Sequence, residues 1–184
     1  MIALEDFLEP IKLAGTPLTE KHHAYRMDGQ PDMRQDAGLG TCACCDYFVT
    51  NNDSVFLIEE TELLKSIKEW KKKVKYLNDN DQKNFVDEKV KTENRLKVYG
   101  SLLVLARLTN KDAEVSNLVG EKKYCFWLVV SGLSNPEDKR YIDNLKDDLT
   151  GALRGALTAE VMDKVEVFPA NYLEGKLSVN QAIP

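Results

Sequence analysis

The sequence predicts an α/β protein, with one domain over residues 1–184 and a central mixed β-sheet of about four to five strands flanked by helices. Three observations predict this class. Two short apolar runs joined by a turn predict a β-hairpin near residues 43–60, and a helical period follows it. A wholly apolar run at 123–131 predicts a strand that is buried on both faces, as a central parallel strand would be.

The first 41 residues predict one short helix followed by an irregular arm. Apolar residues at positions 4, 7, 8 and 11 predict an amphipathic helix over residues 2–13, although Pro10 disfavours its second half. Residues 14–41 follow neither the helical nor the strand period and are interrupted by glycine and proline. A stretch of this length without regular structure is typical of a functional loop or a disordered segment.

The hairpin is the most informative segment of the chain. Its two runs, 44–50 and 54–60, are rich in aromatic and β-branched residues, and the Asn-Asn-Asp between them is typical of a turn. Because side chains alternate between the faces of a strand, a two-residue loop places Asp46 on the same face as Glu59. A three-residue loop places Asp46 with Glu60 instead. Either register brings two carboxylates together on a mostly apolar sheet.

Two neighbouring carboxylates predict a cation site. At an effective dielectric constant near 20, two like charges about 4 Å apart repel each other by roughly 4 kcal/mol. A raised pKa, a basic partner or a bound divalent cation relieves that repulsion. We therefore expect a divalent cation, Mg²⁺ or Mn²⁺, to be bound by Asp46 together with whichever of Glu59 and Glu60 shares its face.

Two helices are predicted after the hairpin. Thr61 is a favourable N-cap, and the apolar residues that follow form one buried stripe at positions 63, 67, 70, 74 and 77. Polar residues at 78–81 end this helix, and a longer one is predicted over 83–109. In that second helix Gly100 and Ser101 would permit close packing against the sheet.

The C-terminal third predicts a helix and one more strand. An Asn-Pro-Glu-Asp sequence at 135–138 is a strong helix start, and the helix is expected to reach about residue 158. Residues 165–168 predict the last strand, and the tail at 170–184 has no clear period.

The first predicted helix after the hairpin carries a local excess of positive charge, although the chain has a net charge of −5. A basic face of this kind is compatible with binding phosphate, and a solvated helix face is the alternative interpretation. The expected nucleic-acid-binding residues are Lys68, Lys71, Lys72, Lys73 and Lys75. Trp70 and Tyr76 lie among them and could stack on bases, but Trp70 fits the buried stripe better.

The order helix, hairpin, helix, strand, with acids on the hairpin, resembles the PD-(D/E)XK nuclease superfamily over roughly residues 1–131. The resemblance implies a restriction-endonuclease-like fold and a divalent metal held by an Asp on the second core strand and a Glu on the third. Asp46 matches that Asp, and Glu59, in an Ile-Glu-Glu-Thr stretch, matches that Glu. Residues 33–42 would have to supply the first core strand of the family.

The main departure from the family pattern is Thr61, which stands in the place of the motif lysine. A threonine cannot supply the positive charge that orients the attacking water and offsets the developing anion. Either Lys65, Lys91 or Lys97 on the following helices supplies it, or the protein is a degenerate member that binds without cutting. The expected catalytic residues are Asp46, Glu59, Glu60, Lys65 and Lys97.

Several other polar residues are candidates for functional sites. Cys42, Cys44 and Cys45 lack the spacing of a tetrahedral zinc site, and we expect them, with Cys125, to fill small buried positions. His22 and His23 in the arm could act as acid–base groups, but exposed loop residues are the simpler interpretation. Glu5 and Glu9 could add a ligand to the metal site or lie on a solvated helix face.

Three functions stay open at this level. A metal-dependent nuclease acting on DNA or RNA is the first, and a non-catalytic protein that binds an acidic partner through the basic helix is its main alternative. A small-ligand domain with the 14–41 arm as a lid is the third. Because no apolar run approaches the ~20 residues of a spanning helix and the start is not basic, we expect a cytoplasmic protein without a membrane partner.

Overall fold

A six-stranded sheet organises the computed structural model, which describes residues 3–14, 18, 22–133 and 136–180. The strands lie side by side in chain order. The pairs β1–β2, β2–β3 and β3–β4 are antiparallel, and the pairs β4–β5 and β5–β6 are parallel. They are β1 Leu8–Pro10, β2 His23–Arg26, β3 Tyr47–Thr50, β4 Ser54–Thr61, β5 Lys123–Val130 and β6 Met162–Pro169. The α/β class with flanking helices is confirmed, and the sheet has six strands rather than four to five.

The two additional strands come from the N-terminal region. Instead of a helix over 2–13, a single 3-10 turn at Leu4–Phe7 leads into β1. The region predicted as an irregular arm contains β2 and a short helix, α1, at Met33–Asp36. The expectation of a core strand within 33–42 is therefore wrong, since β2 is the strand that pairs with β3. Both strands are only three or four residues long, so their alternation was too short to stand out.

The hairpin adopts the register of the two-residue loop. Tyr47 pairs with Ile58 and Thr50 with Val55, which leaves Asn52 and Asp53 at the tip. The Asn51 side-chain oxygen accepts hydrogen bonds from the backbone N–H groups of Asp53 (2.9 Å) and Ser54 (2.7 Å) and so closes the turn. Continuing this register by one residue places Asp46 opposite Glu59.

Two helices follow the hairpin, α2 at Leu63–Lys73 and α3 at Asp79–Thr109. Thr61 is the last residue of β4 and not an N-cap, because its carbonyl accepts the N–H of Ser131 and extends the pairing with β5. Residues 78–81 begin α3 instead of only ending α2, because the Asn78 side chain accepts the N–H of Asp81 at 3.0 Å. Further along the chain are α4 at Ala113–Val119, α5 at Pro136–Arg154 and α6 at Leu173–Val179.

The sheet separates two hydrophobic clusters. The larger cluster lies between one face and the helices α3, α4 and α5, and it includes Leu57, Leu105 and Leu128. The smaller cluster lies on the other face, where Leu173 and Leu177 of α6 pack near Trp127. Strand β5 supplies both clusters and is buried from Cys125 to Val130, as predicted for a central strand. Among the helices that the structure describes, none combines the length and hydrophobicity needed to cross a membrane.

Candidate functional site

The two acids singled out in the sequence meet at the start of β3 and the end of β4. Asp46 directly precedes β3, and Glu59 lies opposite it in β4. The backbone N–H of Glu60 donates a hydrogen bond of 2.8 Å to Oδ2 of Asp46. Glu59 is only 4% exposed, so its carboxylate has been taken almost completely out of water. Both carboxylates therefore stand on backbone that the sheet holds rigid.

Lys97 of α3 brings a positive charge to this pair. Its Nζ forms an ion pair with Oε1 of Glu59, whereas the second oxygen, Oε2, is buried without a hydrogen-bond partner among the described residues. The other two lysines considered for this role lie elsewhere. Lys65 is paired with Glu62 at 2.9 Å, and Lys91 with Glu88 at 3.7 Å. Of the three, Lys97 is the lysine that reaches the predicted metal ligand.

A close contact between α3 and the segment before β3 places Lys97. The hydroxyl of Ser101 accepts the N–H of Cys45 at 2.8 Å and donates to the carbonyl of Lys97 at 2.8 Å. Gly100 makes the approach possible, because a Cβ there would lie 1.6 Å from the carbonyl oxygen of Ala43. The prediction that these two small residues permit close packing is confirmed.

Burial is the largest single influence on the pKa values of Asp46, Glu59 and Lys97. Burial, with the charge of Asp46, raises the pKa of Glu59 to about 8, although Lys97 acts in the opposite direction. Burial also raises the pKa of Asp46, partly offset by the Glu60 N–H and by Lys97. Burial acts to lower the pKa of Lys97, but the charge and hydrogen bond of Glu59 outweigh it, so that pKa is raised. The ammonium is therefore retained next to acids that are costly to ionise.

A pocket of about 370 Å³ opens beside Glu59 and Lys97. Trp70 of α2 and Asn94 of α3 form part of its wall, and Glu60 lies at its edge, where Oε1 accepts the N–H of Ala14 at 3.2 Å. Trp70 is half-buried and also packs against the larger hydrophobic cluster. Its place in the buried stripe is thus compatible with one edge facing the pocket.

Asp28 is a component of the site that the sequence did not indicate. Its charge acts to raise the pKa of both Asp46 and Glu59. The N–H of Met27 donates to the carbonyl of Asp46 at 2.8 Å and so brings the arm to the site. Arg34 forms an ion pair with Asp28 at 2.8 Å. Asp28 belongs to the segment that was predicted to be an irregular arm. Only the pairing of that segment with the hairpin, through Met27, shows that Asp28 is close to the two acids.

The predicted nucleic-acid-binding lysines divide into two groups around α2. Lys68, Lys71 and Lys72 line a groove between α2 and the end of β5, together with Lys65. Lys73 and Lys75 are exposed and do not line this groove. Tyr76, at 79% exposure, extends into solvent beyond the end of α2.

The remaining candidates lie apart from the carboxylates or in the core. Cys44, Cys45 and Cys125 are buried, as expected, while Cys42 is half-buried, and all four carry free thiols. Cys44 and Cys45 precede β3 and belong to the same hydrophobic cluster. Glu9 forms an ion pair with Arg26 at 3.2 Å and adds no ligand at Glu59.

Two further candidates also lie apart from the acids. Glu5 is exposed in the N-terminal turn, and His23 lies in β2 rather than in a loop.

Two carboxylates alone make an incomplete metal shell. Within residues 3–14, 18, 22–133 and 136–180, no three His, Cys, Asp or Glu side chains are grouped so that they could hold a metal ion together. An ion at Asp46 and Glu59 would therefore complete its coordination with water or with substrate oxygens, as Mg²⁺ commonly does. Comparison of this chain with family models, curated proteins and solved structures found no match. The interpretation of the site consequently depends on its own geometry.

Proposed function

We propose that this protein is a metal-dependent, nuclease-like domain that hydrolyses phosphodiester bonds of DNA or RNA. The observation that carries the proposal is the constellation of Asp46, Glu59 and Lys97, in which a lysine from α3 stands beside the two acids. It supports the interpretation in which the motif lysine, replaced by Thr61, has moved to a following helix. The succession of β2, β3, β4, the three helices α2 to α4 and β5 is compatible with the PD-(D/E)XK resemblance.

The residues of the site fit a divalent ion. Oε2 of Glu59 is a buried carboxyl oxygen without a hydrogen-bond partner among the described residues, and burying such an oxygen is costly unless a proton or a cation meets it. Asp46 uses Oδ2 for the Glu60 N–H, which leaves its other oxygen for a ligand. Mg²⁺ and Mn²⁺ prefer oxygen ligands of this kind. When bound, such an ion supplies Lewis acidity toward a phosphate and makes a bound water more acidic.

The protein's own groups have distinct tasks in the proposed reaction. The Glu60 N–H orients the Asp46 carboxylate, and Lys97 holds Oε1 of Glu59, which would leave Oε2 to hold a cation. The Lys97 ammonium also supplies positive charge where negative charge develops on the phosphate. Lys65 and Glu60, which were expected to be catalytic, lie at or beyond the edge of this constellation, so we assign the chemistry to Asp46, Glu59 and Lys97.

Metal binding by an Asp46 variant is the decisive experiment. Asp46→Ala should weaken the Mn²⁺ affinity measured by calorimetry at least tenfold (roughly the scale of losing a tuned ligand contact). Asp53→Ala removes the same charge from the exposed hairpin tip and should leave the affinity unchanged. Lys97→Met should retain Mn²⁺ but lose about 10²–10³-fold in cleavage of plasmid DNA or of RNA.

The result also separates the two main candidate functions. If Asp46→Ala binds Mn²⁺ as the wild type does, the carboxylates are structural and the nuclease proposal fails. Metal binding without cleavage of any DNA or RNA tested would favour the non-catalytic alternative, in which the Glu59–Lys97 pair only stabilises the fold.

A further inference from the structure

A second concave surface lies on the flank of α2 that faces away from the carboxylate pocket. This groove has a volume of about 650 Å³ and runs between α2 and the residues that follow β5. Trp70 and Ser66 of α2 line the carboxylate pocket, whereas Lys68 and Lys72 line the groove, and Glu62 belongs to both. A chain-like ligand could therefore pass from one to the other around the start of α2.

Ser131 places a buried hydroxyl group at the wall of the groove. It follows β5 directly, and its N–H donates to the carbonyl of Thr61 at 3.0 Å. Ser131 is 2% exposed, and its hydroxyl finds no hydrogen-bond partner among the residues that the structure describes. Gly132, with φ of +75°, then turns the chain away. Buried hydroxyl groups are ordinarily paired, so this one is available to a ligand oxygen.

The charge of the groove indicates which kind of ligand would supply the oxygen that bonds to Ser131. Four lysines line it against Glu62 and Glu69, which gives a local excess of two positive charges. Lys65 is paired with Glu62 at 2.9 Å, but no ion pair within the described residues involves Lys68 or Lys72. A groove lined by a hydroxyl donor and by two ammonium groups is a suitable environment for phosphate. The groove also lies at the carboxyl ends of the parallel strands β4 and β5, where open α/β sheets commonly bind ligands.

We propose that this groove anchors a phosphate group through the Ser131 hydroxyl and the ammonium groups of Lys68 and Lys72. On the proposed function, on which this inference rests, the phosphate belongs to a nucleic-acid backbone whose neighbouring segment reaches Glu59. The groove contributes affinity without reading sequence, because it meets the backbone and not the bases. The proposal therefore distinguishes Lys68 and Lys72, which bind the phosphate, from Lys73 and Lys75, which lie outside the groove.

The experiment is carried out in EDTA, so that binding is measured without hydrolysis. The affinity of a fluorescently labelled DNA duplex and of a labelled single-stranded RNA is measured by anisotropy, with inorganic phosphate as competitor. Ser131→Ala should weaken binding about fivefold to tenfold, the scale of one ordinary hydrogen bond. Ser131→Thr keeps the hydroxyl and should bind like the wild type.

Paired lysine variants provide a control of equal charge. Lys68→Ala with Lys72→Ala should weaken binding more than tenfold and reduce the slope of log affinity against log salt by about two. Lys73→Ala with Lys75→Ala removes the same charge outside the groove and should change the affinity less than about twofold. Thermal melting of each variant verifies that it is folded.

The outcomes separate this inference from the proposed function. The proposed role of the groove would be wrong if the two lysine pairs lost equal amounts of nucleic-acid affinity, or if Ser131→Ala bound with wild-type affinity. If nucleic-acid binding depends on Ser131 but no cleavage occurs in Mn²⁺, the groove proposal stands and the nuclease proposal fails. Inorganic phosphate bound through Ser131, with neither nucleic acid bound, would assign the groove to a small phosphate ester and likewise reject the nuclease.

Discussion

At the scale of single residues, opposing electrostatic effects act on the pKa of Glu59. Burial and the charge of Asp46 raise its pKa to about 8, and the ion pair with Lys97 limits that rise. A carboxyl group with this pKa holds its proton through much of the neutral range. A metal ion must then displace that proton, so we expect metal affinity to increase as the pH rises toward 8.

The same pKa predicts how stability depends on pH. The folded pKa of about 8 lies above the ordinary value of 4.5, so the unfolded chain loses this proton first. The free energy of unfolding should therefore fall between about pH 4.5 and 8, by on the order of 4 kcal/mol from this group, and level off above that range. Glu59→Gln should remove this fall, as measured by urea unfolding from pH 5 to 9.

Lys97→Met provides the control for that pH dependence. Without the ammonium, the pKa of Glu59 should rise further, so the loss of stability should extend to higher pH. Parallel curves for the wild type and Glu59→Gln would contradict this account of the site.

At the scale of elements, α3 carries the site because of two small residues. Val98 and Leu105 anchor the helix in the larger hydrophobic cluster, while Gly100 and Ser101 let it approach the backbone before β3. Lys97 lies one turn from this contact. Its ammonium is therefore placed by backbone packing, and a shift of α3 would move it away from Glu59.

Adding a single methyl group to α3 should disrupt this arrangement. Gly100→Ala would bring a Cβ within 1.6 Å of the Ala43 carbonyl oxygen, a clash that only a backbone shift can relieve. We expect a loss of about 3 kcal/mol in the free energy of unfolding, measured in urea, together with a loss of nucleic-acid cleavage, because Lys97 is displaced from Glu59. Gly151→Ala in α5 meets no atom within 4 Å and should instead stabilise the protein by about 1 kcal/mol. Equal effects at the two glycines would show that helix propensity, and not packing, dominates.

At the scale of the whole molecule, the sheet is stable because both of its faces are covered. The helices α3, α4 and α5 cover one face, and the short helix α6 covers part of the other. Trp127 packs against Phe56 with ring centroids 4.5 Å apart on this second face. The C-terminal segment is thus part of the core, although its sequence shows no clear period.

Truncating one side chain of α6 tests how much this second layer contributes. Leu177 is 3% exposed beneath the sheet, so Leu177→Ala should cost about 2–4 kcal/mol of the free energy of unfolding. Val179 is 82% exposed in the same helix, and Val179→Ala should change stability by less than about 0.5 kcal/mol. If Leu177→Ala behaves like Val179→Ala in urea unfolding, α6 does not contribute to the core in the way its burial indicates.

The sequence predicted the parts of the fold that local patterns encode. The hairpin follows from two apolar runs joined by a turn, the long helix α3 from the helical period, and the central strand β5 from a continuous apolar run. The strands β1 and β2 were missed because three or four residues are too few to display a period. The helix α6 was missed because its amphipathic face is one turn long and is recognised only against the sheet.

Some features of the candidate site were likewise predictable from the sequence, and others were not. The sequence by itself determined that two acids would share a face, because strand alternation and a short turn leave few registers, and Asp46 and Glu59 are opposite each other in the structure. Only the tertiary structure decided that Lys97, and not Lys65 or Lys91, meets Glu59, and that Asp28 acts on both acids. The physical reason is distance along the chain: local periods determine which face a side chain occupies, whereas the packing of Gly100 against Ala43 determines which distant side chain arrives there.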